Sequence, residues 1–317
     1  MSALLQYVVN GLVYSAIIVL ASIGLSLVYS IRGFANFAHG DTLTVGAYAA
    51  LITFSGTSAL LATSGSANAE GGLAGLLGGP AAFVVALAVG MAVAAVVAIA
   101  SERLVFSKLD TSSIGLLIAS IGVAFVMRAI VQIFFGNIQQ AYQLPRSGPL
   151  PFFSALGVAV TARDVVVVVA TLVLVAALHA ILQYTSLGRQ MRATSDNRDL
   201  ARASGIRTSR IVDATWAIGA GLAGAGGVFL GLSLRLEPLM GFNILLVVFA
   251  AVILGGIGSV YGAMLGGLVI GVVHEFVPAL SSLGIPISAQ YANAVAFLIM
   301  VVILLVRPQG IMGEAVK

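Results

Sequence analysis

The stretch from Arg189 to Arg210, RQMRATSDNRDLARASGIRTSR, decides how the chain is read. It carries six of the fifteen Lys and Arg residues in a chain of 317 residues. Outside it the sequence is built for lipid: 60% of all residues are hydrophobic and 8% are charged. A soluble domain cannot hide that much apolar surface, so the composition sets an all-α polytopic integral membrane protein. A basic loop fixed between membrane helices is either a solvated linker or a handle for something outside the bilayer.

Working outward, apolar stretches at 4–30, 81–100, 114–135, 165–182, 211–234 and 290–306 approach or exceed the length that a crossing helix needs, roughly 20 residues. Shorter or broken pieces lie at 36–54, 243–258 and 260–277. Together they predict about eight to ten transmembrane or broken helices. The whole of 1–317 reads as one transmembrane domain, with its polar loop at about 187–210. Residues 55–80 are rich in Gly, Ser and Ala and read as a loop. With no Cys there is no disulfide framework and no Cys-based metal or redox site. Residues 1–31 contain no Lys or Arg, so the first apolar stretch reads as a permanent helix and not as a signal peptide.

Basic residues gather on the cytoplasmic side of membrane proteins. With the island inside, Arg32, Arg103, Lys108, the six island residues, Arg307 and Lys317 also fall inside, eleven in all. Arg146, Arg163 and Arg235 fall outside, and Arg128 lies within a span. That count puts the N-terminus outside and the C-terminus in the cytoplasm. The net charge of +4 follows this topology and does not point to nucleic acid.

Two polar or glycine-rich breaks interrupt the apolar pattern. Asn36, His39, Gly40 and Asp41 open an apolar run. Ionisable groups at membrane depth mark substrate or ion routes. They also stand where a helix starts, with Asn36 or Asp41 placed to cap it, so both readings stay open. The second break is Gly255, Gly256, Gly258 and Ser259, read either as a pathway element or as a tight helix-helix turn. The run Gly219–Gly231 reads as helix packing.

Other constellations exclude chemistry. His274-Glu275-Phe276 lacks the second His that a zinc protease helix needs, because Pro278 occupies that position. His179, alone in an apolar stretch, reads as a packing residue with a backbone partner. Neither Lys108 nor Lys317 follows a Gly, so there is no ATP-binding loop. No catalytic constellation and no metal site is predicted, and the chain is not read as an enzyme. Within the island, Ser195 or Asp196 is placed to cap a short helix, Asp199 falls in its first turn, Arg202 in its last, and Gly205 stops it. Small residues around Leu200 and Ala201, namely Ala193, Asn197 and Ser204, suit docking into a groove of another protein.

Four stretches carry a family resemblance: GLSLVYSIRGFANFAHGDTLTVGAY at 24–48, LGRQMRATSDNRDLARASGIRTSRI at 187–211, GGIGSVYGAMLGGLVIG at 255–271, and RPQGI at 307–311. In order and spacing the chain resembles the branched-chain amino acid permease family of ABC importers, and in particular the first of that system's two permease subunits. The resemblance implies a multi-pass permease in the cell membrane of a prokaryote. It implies a second permease chain, two cytoplasmic ATPase subunits that bind ATP and Mg, and an extracytoplasmic substrate-binding protein; no cofactor is expected in this chain. It implies transport of branched-chain or other hydrophobic amino acids, or of urea or short amides. It makes Ala193, Asp196, Asn197, Leu200, Ala201, Ser204, Gly205 and Ile206 the coupling surface for an ATPase. Asn36, His39, Gly40, Asp41, Gly255, Gly256, Gly258 and Ser259 are then candidates for the translocation pathway. A stand-alone channel or ion-coupled carrier is the rival reading, and it leaves the capped island unexplained.

Overall fold

The computed structural model describes residues 2–63, 80–142, 148–155, 157–282 and 288–313. Those residues form helices α1 (Ser2–Arg32), α2 (Ala38–Thr63), α3 (Pro80–Ser101), α4 (Ser113–Phe135), α5 (Pro151–Ala155) and α6 (Ala162–Tyr184). After them come α7 (Ser186–Asp196), α8 (Arg198–Ala203), α9 (Thr208–Ser233), α10 (Met240–Gly255), α11 (Val260–Ser282) and α12 (Ala292–Val306). A π-helical turn, Glu102–Phe106, continues α3. Among the described residues the only β pairing is an isolated bridge between Gln140 and Leu236. Helices α1, α3, α4, α6, α9 and α11 are each long and apolar enough to cross a membrane. Helices α10 and α12 are apolar but shorter, at 16 and 15 residues. The loop expected at 55–80 is corrected in its first part, because residues 55–63 continue helix α2; residues 64–79 lie outside the described residues.

Helices α1 and α9 form the centre and are buried along most of their length. They run antiparallel, and glycine sets their separation. A Cβ on Gly219 would stand 2.8 Å from the Gly24 carbonyl oxygen, and one on Gly24 would run into the Gly219 carbonyl. Gly46 of α2, Gly90 of α3 and Gly224 of α9 make a second close crossing: a Cβ on Gly46 would lie 2.7 Å from the Gly224 Cα. Lipid is as apolar as leucine, so close backbone contact supplies the packing energy that burial supplies in water. Peripheral helices turn large apolar side chains outward, as Ile114, Ile118 and Ile133 of α4, Leu172 of α6 and Leu305 of α12 do. Such a face belongs against hydrocarbon or a partner chain.

The island lies at one end of α9, and the α9–α10 link lies at the other. Twenty-six residues of α helix put these ends ~39 Å apart. At the island end Arg32 forms an ionic contact with Glu102 at 3.2 Å, and Arg103 pairs with Asp213 at 2.5 Å.

Helix α2 begins inside the bundle, short of its island end. Gly33, at φ +67, reverses the chain after α1. Residues 34–37 then run back along α1, with Phe34 packed on Phe106 at 5.3 Å and the Phe37 amide donating to Ser120 Oγ at 3.0 Å. The first turn of α2 thus lies level with Ala21, eleven residues before Arg32, or ~16 Å inside the island end of α1. At its island end α10 is closed by the C-terminal strap: the amides of Ile311 and Met312 donate to the carbonyls of Leu254 and Gly255, both at 2.9 Å.

The glycine crossings make a direct prediction. Gly24→Ala and Gly219→Ala each press a methyl onto backbone and should cost about 1–3 kcal/mol. Gly122→Ala, where a Cβ meets nothing within 4 Å, should be neutral or stabilising. Thermal unfolding of the three variants in detergent checks the ranking.

Candidate functional site

Two cavities occupy the two ends of the bundle. The far-end cavity, about 420 Å³, is lined by Tyr14 of α1, Arg235 and Glu237 of the α9–α10 link, Asn243 of α10, His274 of α11 and Asn293 of α12. Leu230, Leu234, Met240 and Ile244 complete its apolar wall. The island-end cavity, about 690 Å³, is lined by Ser30 of α1, Arg192, Ser195 and Asp196 of α7, Gly258 and Ser259 of the α10–α11 junction, and Tyr261 of α11. Helix α10 joins them: Met240 and Asn243 line the first, and the residues just after Gly255 line the second. At ~24 Å, α10 runs from one cavity to the other.

The island is two helices. Thr185 caps α7, its hydroxyl accepting from the Gly188 amide at 3.1 Å. Arg192 folds back to donate to the Leu182 carbonyl. The cap of α8 is Asn197, whose Oδ1 accepts from the amides of Asp199 at 3.1 Å and Leu200 at 2.9 Å. Ser195 and Asp196, the expected caps, are placed otherwise. Asp196 ends α7, and Ser195 Oγ donates to the Ser30 carbonyl at 3.0 Å, tying the island to the end of α1. Gly205 does stop α8: its φ is +83, its amide donates to the Arg202 carbonyl, and the Ile206 amide donates to the Ala201 carbonyl, each at 3.0 Å. These two bonds form the Schellman closure of a helix C-terminus. Ala201 points inward, whereas Leu200, 64% exposed, points away from the bundle. Asp196, Asn197, Ser204 and Gly205 are exposed, and Ala193 and Ile206 are half-buried.

The polar set at the start of α2 is buried and fully engaged. Asn36 Oδ1 accepts from the Ala38 amide at 3.0 Å, so Asn36 is the cap. His39 Nε2 meets the Ala21 carbonyl at 2.9 Å. A Cβ on Gly40 would run into the Gly241 carbonyl, so the first turns of α2 and α10 meet here. Across this contact the Gly241 amide donates to Thr44 Oγ1 at 3.0 Å. Asp41 takes both guanidinium arms of Arg128, Nε at 3.0 Å and Nη2 at 2.9 Å. The guanidinium lies against the rings of Phe242, 4.6 Å from its centroid, and Phe125, at 5.3 Å. Asp41 also sits in the first turn of α2, where the helix dipole favours a negative charge.

None of Asn36, His39, Gly40 and Asp41 lines either cavity, whereas Gly258 and Ser259 line the island-end one together with Ser195 and Asp196. Gly256, at φ +107, packs against the strap at Gly313, and a Cβ on Gly255 would run into the Gly262 carbonyl. His179 has a side-chain partner and not a backbone one: its Nδ1 lies 2.9 Å from Tyr261 Oη. His274 stacks on Tyr14 with ring centroids 4.5 Å apart. The Asp41–Arg128 pair and the Arg235–Glu237 charges were not anticipated. The signal for the first was present, as one acid and one base of opposite sign within apolar stretches.

Comparison with known proteins finds relatives along almost the whole chain. The family model described as branched-chain amino acid transport system, permease component, matches residues 7–304. The chain is similar to the high-affinity branched-chain amino acid transport system permease protein LivH of Salmonella typhimurium, 31% identical over 314 residues, covering 98% of this chain and 96% of that one. The Escherichia coli K12 protein of the same name is 30% identical over the same span and coverage. Pseudomonas aeruginosa BraD, likewise a high-affinity branched-chain amino acid transport system permease protein, is 31% identical over 315 residues, with the same shares covered. No solved structure matches the chain with significance.

Removing one partner of a buried ion pair strands the other charge, at a cost of about 3–5 kcal/mol. Asp41→Asn and Arg128→Gln should therefore each destabilise strongly. The double variant should lose less than the sum of the two, which a double-mutant cycle on thermal inactivation measures.

Proposed function

The chain belongs to the family of branched-chain amino acid transport system permease components, and we propose that it is the membrane-spanning permease subunit of an ATP-driven importer for branched-chain amino acids. It works beside a second permease chain, two cytoplasmic ATPase subunits and an extracytoplasmic binding protein. ATP and Mg are bound by the ATPase subunits. The island end faces the cytoplasm, and the N-terminus lies outside. The basic residues support that orientation, because Arg32, Arg103, Lys108 and the island gather at one end of the bundle.

The single observation that carries this reading is the build of the island. Its outer helix, α8, offers the exposed Leu200 on a rigidly capped turn. Its inner helix, α7, walls the same cavity as Gly258 and Ser259. An ATPase that grips Ala193 to Ile206 thereby pulls on the wall of the inner cavity. Gly258 and Ser259 line the pathway there. The set Asn36, His39, Gly40 and Asp41 serves the pathway from behind, by fixing the first turn of α10, with Gly255 and Gly256 shaping its other end.

Leu200→Asp removes the apolar contact, and Gly205→Val forces a β-branched residue into the left-handed region at a cost of about 1–3 kcal/mol. Both should abolish ATP-driven leucine uptake by the reconstituted importer while leaving the amount of folded permease in the membrane unchanged. Wild-type uptake at equal expression in both variants would refute the docking role. Leucine flux through the purified chain alone, without ATP, would refute the importer reading.

A further inference from the structure

The far-end cavity holds two full charges of opposite sign that do not pair with each other. Arg235 and Glu237 flank Leu236, which is wholly buried and bridged to Gln140 through two backbone hydrogen bonds of 2.8 Å. In an extended segment residues i and i+2 project to the same side. Leu236 anchored inward therefore sends Arg235 and Glu237 outward together, and both line the cavity. No ion pair joins them among the described residues. Arg235 Nη1 reaches only Gln139 Oε1, at 3.4 Å, and Glu237 Oε1 accepts from Asn243 Nδ2 at 3.1 Å. Leu230, Leu234, Met240 and Ile244 give the cavity an aliphatic part, beside the rings of Tyr14 and His274.

A cation, an anion and an aliphatic wall within about 420 Å³ fit one class of small molecule. We infer that the far-end cavity is a receiving site for a zwitterionic aliphatic α-amino acid. Arg235 takes the α-carboxylate, Glu237 takes the α-ammonium, and Leu234 and Ile244 take the side chain. Urea and simple amides carry no net charges and would leave both groups without a counter-ion, so the cavity selects against them. Arg235 is exposed to solvent, which keeps the grip weak enough for the substrate to move on. The cavity also touches the first turn of α10 through Met240 and Asn243, so occupancy bears on the helix that leads to the inner cavity.

This inference rests on the importer reading, and the test separates the two. The complete importer, with its partner permease, ATPase subunits and binding protein, is reconstituted in liposomes, and uptake of radiolabelled leucine and valine is measured at saturating binding protein. Arg235→Gln and Glu237→Gln should each slow leucine uptake by about tenfold or more. Leu234→Trp, which keeps both charges and narrows the apolar wall, should lower the leucine-to-valine uptake ratio by about threefold or more. Charge variants that co-purify with the other subunits and take up leucine at the wild-type rate overturn the receiving site. Where the charge variants fail to assemble, Leu234→Trp decides: an unchanged ratio overturns it equally. A wild-type importer that moves neither amino acid with ATP overturns the importer reading itself.

Discussion

A helix that starts inside a membrane exposes amide groups that lipid cannot satisfy. Helix α2 starts buried inside the bundle of this membrane protein, and much of the bundle answers to that constraint. Asn36 supplies one acceptor within the chain turn itself. Asp41 brings a carboxylate to the positive end of the helix, and Arg128 of α4 neutralises it. His39 reaches across to α1, and Thr44 bonds the first turn of α10. Five polar or charged side chains thus lock α1, α2, α4 and α10 at one depth. The cost of ionisable groups in the interior is offset because each has its partner.

Glycine supplies the second condition for this arrangement. The amide of Gly241 reaches Thr44 only because Gly40 and Gly241 let α2 and α10 touch backbone to backbone. The Gly24–Gly219 crossing performs the same service for α1 and α9, and Gly24 also leaves room for the His39 ring, since a Cβ there would lie 2.9 Å from His39 Cε1. Small residues and polar contacts are therefore one device: the first permits the approach that the second needs. The outer helices α4, α6 and α12 carry few such constraints and present isoleucine, leucine and valine to their surroundings.

The membrane class and the apolar helices were readable from composition and length, because roughly 20 apolar residues in a row have few other uses. The stop at Gly205 was readable as well, since it depends on local backbone conformation alone. The cap was missed by one or two residues. Ser195, Asp196 and Asn197 are all competent caps, and the choice fell to Asn197 once Ser195 bonded Ser30 of α1, a contact between residues far apart in the chain. Arg128 lay in plain view within a span, but nothing local says that Asp41 stands opposite it. Arg235 and Glu237 read as ordinary loop charges until the buried Leu236 and its bridge to Gln140 turn them to one side. In each case the local signal was sound, and the missing part was a long-range pairing.

The strap across the island end of α10 bears on how the protein is made. The carbonyls of Leu254 and Gly255 are closed by amides of Ile311 and Met312, which lie beyond α11 and α12 in the chain. A nascent chain emerges in order, so α10 enters the bilayer with that end still open. It is sealed only when α11 and α12 have been laid down and the strap returns to it. The α10–α11 junction, with Gly256 and Gly258 in left-handed conformations, thus takes its final shape only after α11 and α12 have formed.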